Sequence, residues 1–171
     1  MALKYTTLSE IEPGVRDLVR IMNQIPFIDT DQSCEGHLRN PYSRLSPIPK
    51  NMKDVRLEPP ALIFYVDGKL SWGKDGIKLE HFNHPLAAEF IERVEKFSRA
   101  YPSTDFRMLN SYDESNPKPE YFINFDAKIH DLSQTQVFAI DIARKKKTKY
   151  DKLIIEFTRL CEDFVSEHGL N

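Results

Sequence analysis

Ala61-Leu62-Ile63-Phe64-Tyr65-Val66, followed at once by Asp67-Gly68, is the stretch on which the fold class turns. An unbroken apolar and aromatic run of this length, closed by a turn dipeptide, reads as a buried strand. Asp67-Gly68 is a pair that a tight two-residue hairpin favours, because both central positions need positive φ. Lys69–Trp72 is then the expected partner strand, and Asp75-Gly76 a second turn into Ile77–Phe82.

Upstream of this strand, a helix is expected from about Ser9 to Asn23. Ser9 and Glu12 have capping-box spacing, Pro13 falls in the first turn, and Ile11, Val15, Leu18, Val19 and Met22 recur on one face. Pro26 ends it, and Phe27-Ile28 opens a strand that runs into Thr30–His37. Residues 38–60 read as a long, locally basic loop. Pro41, Pro47, Pro49, Pro59 and Pro60 oppose regular structure, and Arg39, Arg44, Lys50, Lys53 and Arg56 outnumber Asp54 and Glu58.

Downstream, Asn83 and Pro85 open a helix whose buried face is Leu86, Phe90, Ile91, Val94 and Phe97, with Pro102 past its end. Phe106–Ser111 and Tyr121–Ala127 read as strands around a polar loop. Gln136–Ala143 fits either a helix capped at Ser133 or a strand, and its Val-Phe-Ala-Ile content favours strand. A last helix is expected from about Thr148 to His168, ending at Gly169, with Leu153, Phe157, Cys161 and Phe164 inward. No repeat, linker or low-complexity tract divides residues 1–171. The expectation is a single α+β domain, a mostly antiparallel or mixed sheet with about three helices packed on it.

Composition narrows the function classes. The 171 residues are 40% hydrophobic and 29% charged, as in globular proteins, with a net charge of −2. Nucleic-acid contact would therefore need a local patch rather than a basic coat. The strongest candidate is Arg144-Lys145-Lys146-Lys147-Thr148-Lys149-Tyr150, where the lysines would hold phosphates and Tyr150 would stack a base. A solvated helix entry is the plainer reading of the same run. No signal-peptide or membrane-spanning pattern is seen, and two cysteines make no disulfide framework, so a cytoplasmic setting with free thiols is expected. Phosphate loops, dinucleotide fingerprints and nucleophile elbows are absent from the sequence.

The densest polar segment is Asp29 to Arg39. Cys34, Glu35 and His37 are candidate catalytic groups, Gly36 permits a tight turn with close ligand approach, and Ser33 and Arg39 are candidate binding residues. Glu35 or His37 would serve as general base. A turn holding a buried thiol and solvated charges is the alternative. His37 with His81 and His84 offers enough ligands for a catalytic metal and a hydrolase. His130 and His168 read as surface residues, and Cys161 as core.

Taken in order, Val15–Asn23, Pro26, Asp29-Thr30 and Ser33-Cys34-Glu35-Gly36-His37 resemble the N-terminal helix and Ser-Cys-x-Gly signature of the tRNA wybutosine-synthesis methyltransferase family. Fainter likeness continues through Glu58-Pro59, Ala87-Ala88, Phe106-Arg107, Ser111 and Tyr121–Phe125. The resemblance implies a compact α/β domain and S-adenosylmethionine-dependent N-methylation of a modified guanosine in tRNA. Ser33, Cys34, Gly36, Arg107 and Ser111 are the matching positions. Glu35 and His37 depart from the small and basic residues usual there, and Ala61–Val66 lacks the family's Ser-His pair. Three readings stay open at this stage: the methyltransferase-like enzyme, the metal-dependent hydrolase, and a non-catalytic binding module.

Overall fold

A bent two-stranded ribbon organises the molecule, and its corner is made by one glycine and two prolines. The structure, a computed structural model, describes residues 11–42, 47–110, 112, 114, 117–126, 128 and 136–170. Strands β1 (Ile28–Cys34) and β2 (His37–Arg39) are separated only by Glu35-Gly36, and β3 (Asp54–Glu58) and β4 (Ala61–Val66) only by Pro59-Pro60. β1 pairs antiparallel with β4, Cys34 opposite Ala61, while β2 pairs antiparallel with β3, His37 opposite Glu58. Proline has no N–H to give a ladder, so the pairing breaks where the two prolines stand and the ribbon passes into a second sheet. Gly36 turns the facing strand at φ +77, with Pro60 only 2.9 Å from where a Cβ would sit. The expected 38–60 loop is therefore corrected at both ends. Leu38 and Arg39 belong to β2 and 54–58 to β3, where Val55, Arg56 and Leu57 carry no proline and are buried in a ladder; 43–46 lie outside the described residues.

The four-stranded sheet runs β1-β4-β8-β7, with β7 (Asp105–Met108) and β8 (Glu120–Asn124). β2 and β3 join β9 (Val137–Ala139) in a second sheet, and β5 (Gly68–Gly73) pairs with β6 (Gly76–Phe82) in a third. Every strand pair is antiparallel. The hairpin expected at Asp67-Gly68 is not formed. Both edges of β4 are occupied, by β1 and β8, and Gly68 is not in the positive-φ region. Asp67 is instead a tie point: its N–H donates to Phe27 O at 2.8 Å and its carbonyl accepts from Asn83 N–H at 3.0 Å. The second expected turn does form, with Gly76 at φ +104 closing the β5–β6 hairpin.

The helices are α1 (Arg16–Met22), α2 (Ala87–Ala100) and α3 (Ile140–His168). α1 is shorter than its apolar stripe, since Pro13–Val15 form a 3-10 turn; Ser9 lies outside the described residues. α2 starts later than its apparent cap, because the Asn83 side chain donates to the Asp67 carboxylate at 2.9 Å. At its entry His84 Nδ1 accepts the Leu86 N–H. The 136–143 segment holds both structures that its sequence allows: a short strand through Ala139, then helix from Ile140. The basic run 144–149 thus lies inside a long helix rather than at its entry.

Alternation fixes which face of the main sheet is covered. Leu62, Phe64 and Val66 of β4, with Tyr121 and Ile123 of β8, enter one core with Phe90, Val94, Phe157 and Phe164 from α2 and α3. Phe90 and Phe164 meet edge-on at 5.1 Å and Phe97 and Phe157 at 5.2 Å, so aromatic contacts lock α2 to α3. The architecture is α+β, as its sequence indicates. Among the described residues no helix is long and apolar enough to cross a membrane.

Candidate functional site

The face of the main sheet opposite α2 and α3 carries the chemistry. Register places Gln32, Ile63, Phe122 and Arg107 in one row across β1, β4, β8 and β7. Cys34, Ala61, Asn124 and Asp105 form the next row towards the corner. A half-open cavity of about 290 Å³ lies here, walled by Phe122, Ile63, Ala61 and Pro59, with Gln32, Cys34 and Glu58 as polar lining. Ser33 also borders it. The volume is at the lower end of the roughly 300–1,000 Å³ usual for small-molecule sites, and an apolar wall with few polar groups is their usual make-up.

Arg107 is brought to this face by pairing rather than by lining the cavity. Its guanidinium lies 5.7 Å from the centroid of the Phe122 ring and 3.6 Å from Asp105. It stands above the outer side of the cavity wall with its charge towards solvent. Ser111 lies outside the described residues.

The corner itself is tied by hydrogen bonds. Glu12 Oε2 accepts the Glu35 N–H at 2.7 Å, and Glu12 Oε1 is 2.7 Å from His37 Nε2. The Glu35 carboxylate accepts the Gly14 N–H, and the Gly36 N–H points at Cys34 Sγ, 3.4 Å away. Arg39 donates to Glu58 at 2.7 Å, and Arg56 approaches the other oxygen of that carboxylate at 3.8 Å. Glu35 and His37 are therefore held in the corner, and neither borders the cavity. Burial pushes the Cys34 thiol up, and the nearby carboxylates of Glu12 and Glu58 add to this against the Gly36 N–H and Arg39. As the protein stands, Cys34 is a thiol and not an activated thiolate.

His81 and His84 are not near this corner. His84 packs on Phe27 with ring centroids 4.5 Å apart, beyond the far end of β1, and exposed His81 stands opposite Lys69 in the β5–β6 hairpin. The groups of potential metal ligands among the described residues are Glu12–Cys34–His37 and Glu89–Glu167–His168. The triad of His37 with His81 and His84 is thus not assembled. His130 lies outside the described residues. His168, expected at the surface, bonds Glu89 at 3.1 Å, and Cys161 is fully buried in the core.

The basic run divides between two sides of α3. Lys147 Nζ lies 3.1 Å from the Glu35 carbonyl oxygen and 2.8 Å from Asp151. Lys145, Lys146 and Lys149, with Lys128, line a second cavity of about 410 Å³. At its base the Tyr150 hydroxyl donates to buried Asp126, which also pairs with Lys146 at 3.2 Å. Tyr150 is 3% exposed, so the base-stacking role expected for it is corrected: its ring packs inward and its hydroxyl is committed. Arg144 is exposed at the helix surface.

Glu12, Glu58, Phe122 and Asp126 are the residues that reading the sequence for function passed over. Glu12 carried only a capping signal, Glu58 read as part of the 38–60 loop, and Phe122 and Asp126 read as ordinary strand residues; only the fold places them at a site.

No family model matches the chain, and no curated protein matches it. Among solved structures, the PH1069 protein from Pyrococcus horikoshii is similar over 95% of this chain and 86% of its own, at 11% identity and a TM-score of 0.44. Likeness at that level transfers no site, so the chemistry below rests on this chain's own residues.

Proposed function

We propose that this protein is an S-adenosylmethionine-dependent methyltransferase acting on a modified guanosine in tRNA. The observation that carries the reading is a cavity of about 290 Å³ with an apolar, aromatic wall in a domain that also presents a lysine-lined helix face, Lys145, Lys146 and Lys149. An enzyme acting on a nucleoside within RNA needs both parts: a pocket for the donor and a cationic surface for the phosphates.

The cavity's residues fit the donor's chemistry. Phe122, Ile63 and Pro59 offer an apolar wall to a purine, and Gln32 offers an acceptor to ribose hydroxyls. Arg107, on the outer side of Phe122, suits a carboxylate at the other end. The cofactor supplies an electrophilic methyl group. The chain's part is to exclude water, align the acceptor nitrogen and take up its proton. Among the titratable side chains bordering the cavity, Glu58 is the carboxylate placed for that proton. Lys145 and Lys149, one helical turn apart, hold phosphates of the RNA.

Incubation with methyl-labelled cofactor and a tRNA pool bearing the unmethylated modified guanosine tests this. Label recovered in that nucleoside, and lost in Phe122→Ala, supports it. A folded protein that transfers no label to any tRNA contradicts it.

A further inference from the structure

We propose that Glu12, Cys34 and His37 form a zinc site at the corner of the ribbon. The three side chains offer a carboxylate oxygen, a sulfur and an imidazole nitrogen that all lie within 4.8 Å of one another. Zinc with Zn–S of about 2.3 Å and Zn–N of about 2.0 Å needs tetrahedral ligands about 3.5 Å apart. The 2.7 Å between His37 Nε2 and Glu12 Oε1 must therefore open by under roughly 1 Å, a side-chain adjustment.

The surroundings are those of a ligand set rather than of a lone ion pair. Glu12 Oε2 is fixed by the Glu35 N–H, leaving Oε1 to face His37 and Cys34. The Gly36 N–H points at Cys34 Sγ, as a donor that stabilises a metal-bound thiolate does. Gly36 can supply that N–H because its positive φ turns the backbone over the sulfur, a turn that Pro60 holds closed.

Binding is a simple exchange. The Cys34 S–H proton passes to solvent as the zinc–sulfur bond forms, Glu12 binds as carboxylate, and His37 gives its Nε2 lone pair in the Nδ1–H tautomer. Three protein ligands leave one position for water or for a group from the cavity, whose wall Cys34 shares. The mixed sulfur, nitrogen and oxygen set favours zinc over magnesium or calcium. Zinc binding by these three side chains does not require that the cavity take a methyl donor.

The test is equilibrium dialysis of chelator-stripped full-length protein against zinc, with cobalt as a spectroscopic substitute. One zinc per chain is expected, with a thiolate-to-cobalt charge-transfer band. Cys34→Ser should abolish the band, and Cys34→Ser or His37→Gln should weaken binding by more than the roughly 10–100-fold that losing a supporting hydrogen-bond partner costs. Glu89→Gln, in the other cluster, should leave binding unchanged, and circular dichroism checks that each variant is folded. Folded wild type that holds no zinc, or zinc retained by Cys34→Ser and His37→Gln, overturns the proposal. Cofactor titration of the stripped protein reads the methyltransferase assignment separately.

Discussion

Lys147 Nζ stands 3.1 Å from the carbonyl oxygen of Glu35, so helix α3 is fastened to the corner that joins two sheets. Residues 112 positions apart in sequence thereby hold one side of α3 against the corner of the ribbon. Lys145 and Lys149, on the other side of the helix, are the lysines to read for phosphate binding. Lys145→Ala and Lys149→Ala should each lower the slope of log affinity against log salt by about one for tRNA. Filter binding across a salt series checks this. An unchanged slope in both variants would remove this face from the RNA contact.

Gly36→Ala should be among the costliest single changes at the site. A Cβ there meets Pro60 Cδ and N at 2.9 Å and the Glu58 carbonyl oxygen at 3.0 Å, at a φ of +77 that disfavours any side chain. Strain and overpacking together should remove about 2–4 kcal/mol. Urea unfolding of variant and wild type measures it; a loss under about 0.5 kcal/mol would mean that the corner is not so tightly closed.

Tyr150→Phe isolates the buried contact between α3 and Asp126, just past β8. Asp126 is 4% exposed and loses a hydroxyl donor, keeping Lys146. The expected loss is about 1–3 kcal/mol. Burial and Asp126 both hold the Tyr150 hydroxyl above its ordinary pKa. Alkaline difference spectroscopy should therefore find Tyr150 ionising only as the chain unfolds.

Acid should loosen the α2–α3 junction. Arg93, 2.6 Å from Glu89 and also bonded to Glu167, holds both carboxyls below the ordinary range, with His168 adding to the effect on each. A carboxyl whose pKa is depressed by folding stabilises above its unfolded value, about 4.3. That contribution is lost as pH falls through the lower folded value. The stability gap between wild type and Arg93→Ala should be constant from about pH 5 to 7 and shrink below about pH 4. A gap unchanged down to acid unfolding would contradict the ion-pair account.

Local signals made the strands and helices legible; partner choice was not. The run 61–66 was readable as a strand because its apolar content and length leave little else. That it pairs with β1 and β8, and not with the strand just after it, depends on Asp67 being tied to Phe27 and Asn83, which no local pattern encodes. Pro59-Pro60 suggested loop, yet in this fold the pair marks where one ladder hands over to another. The Ser33–His37 segment stood out by composition alone. Glu12, which fixes His37, lies 25 residues away in sequence and read only as part of a cap. Phe122 joined the site through register, a property of the assembled sheet, whereas Arg107 was already indicated by the family resemblance.

The most direct test of the account is calorimetric titration of the folded protein with S-adenosylmethionine and its demethylated product. Saturable one-to-one binding, weakened by Phe122→Ala and Arg107→Ala while both variants keep their far-ultraviolet spectrum, is the predicted result. No heat of binding for either ligand at millimolar concentration, with the protein folded, would contradict the assignment of the sheet cavity to a methyl donor.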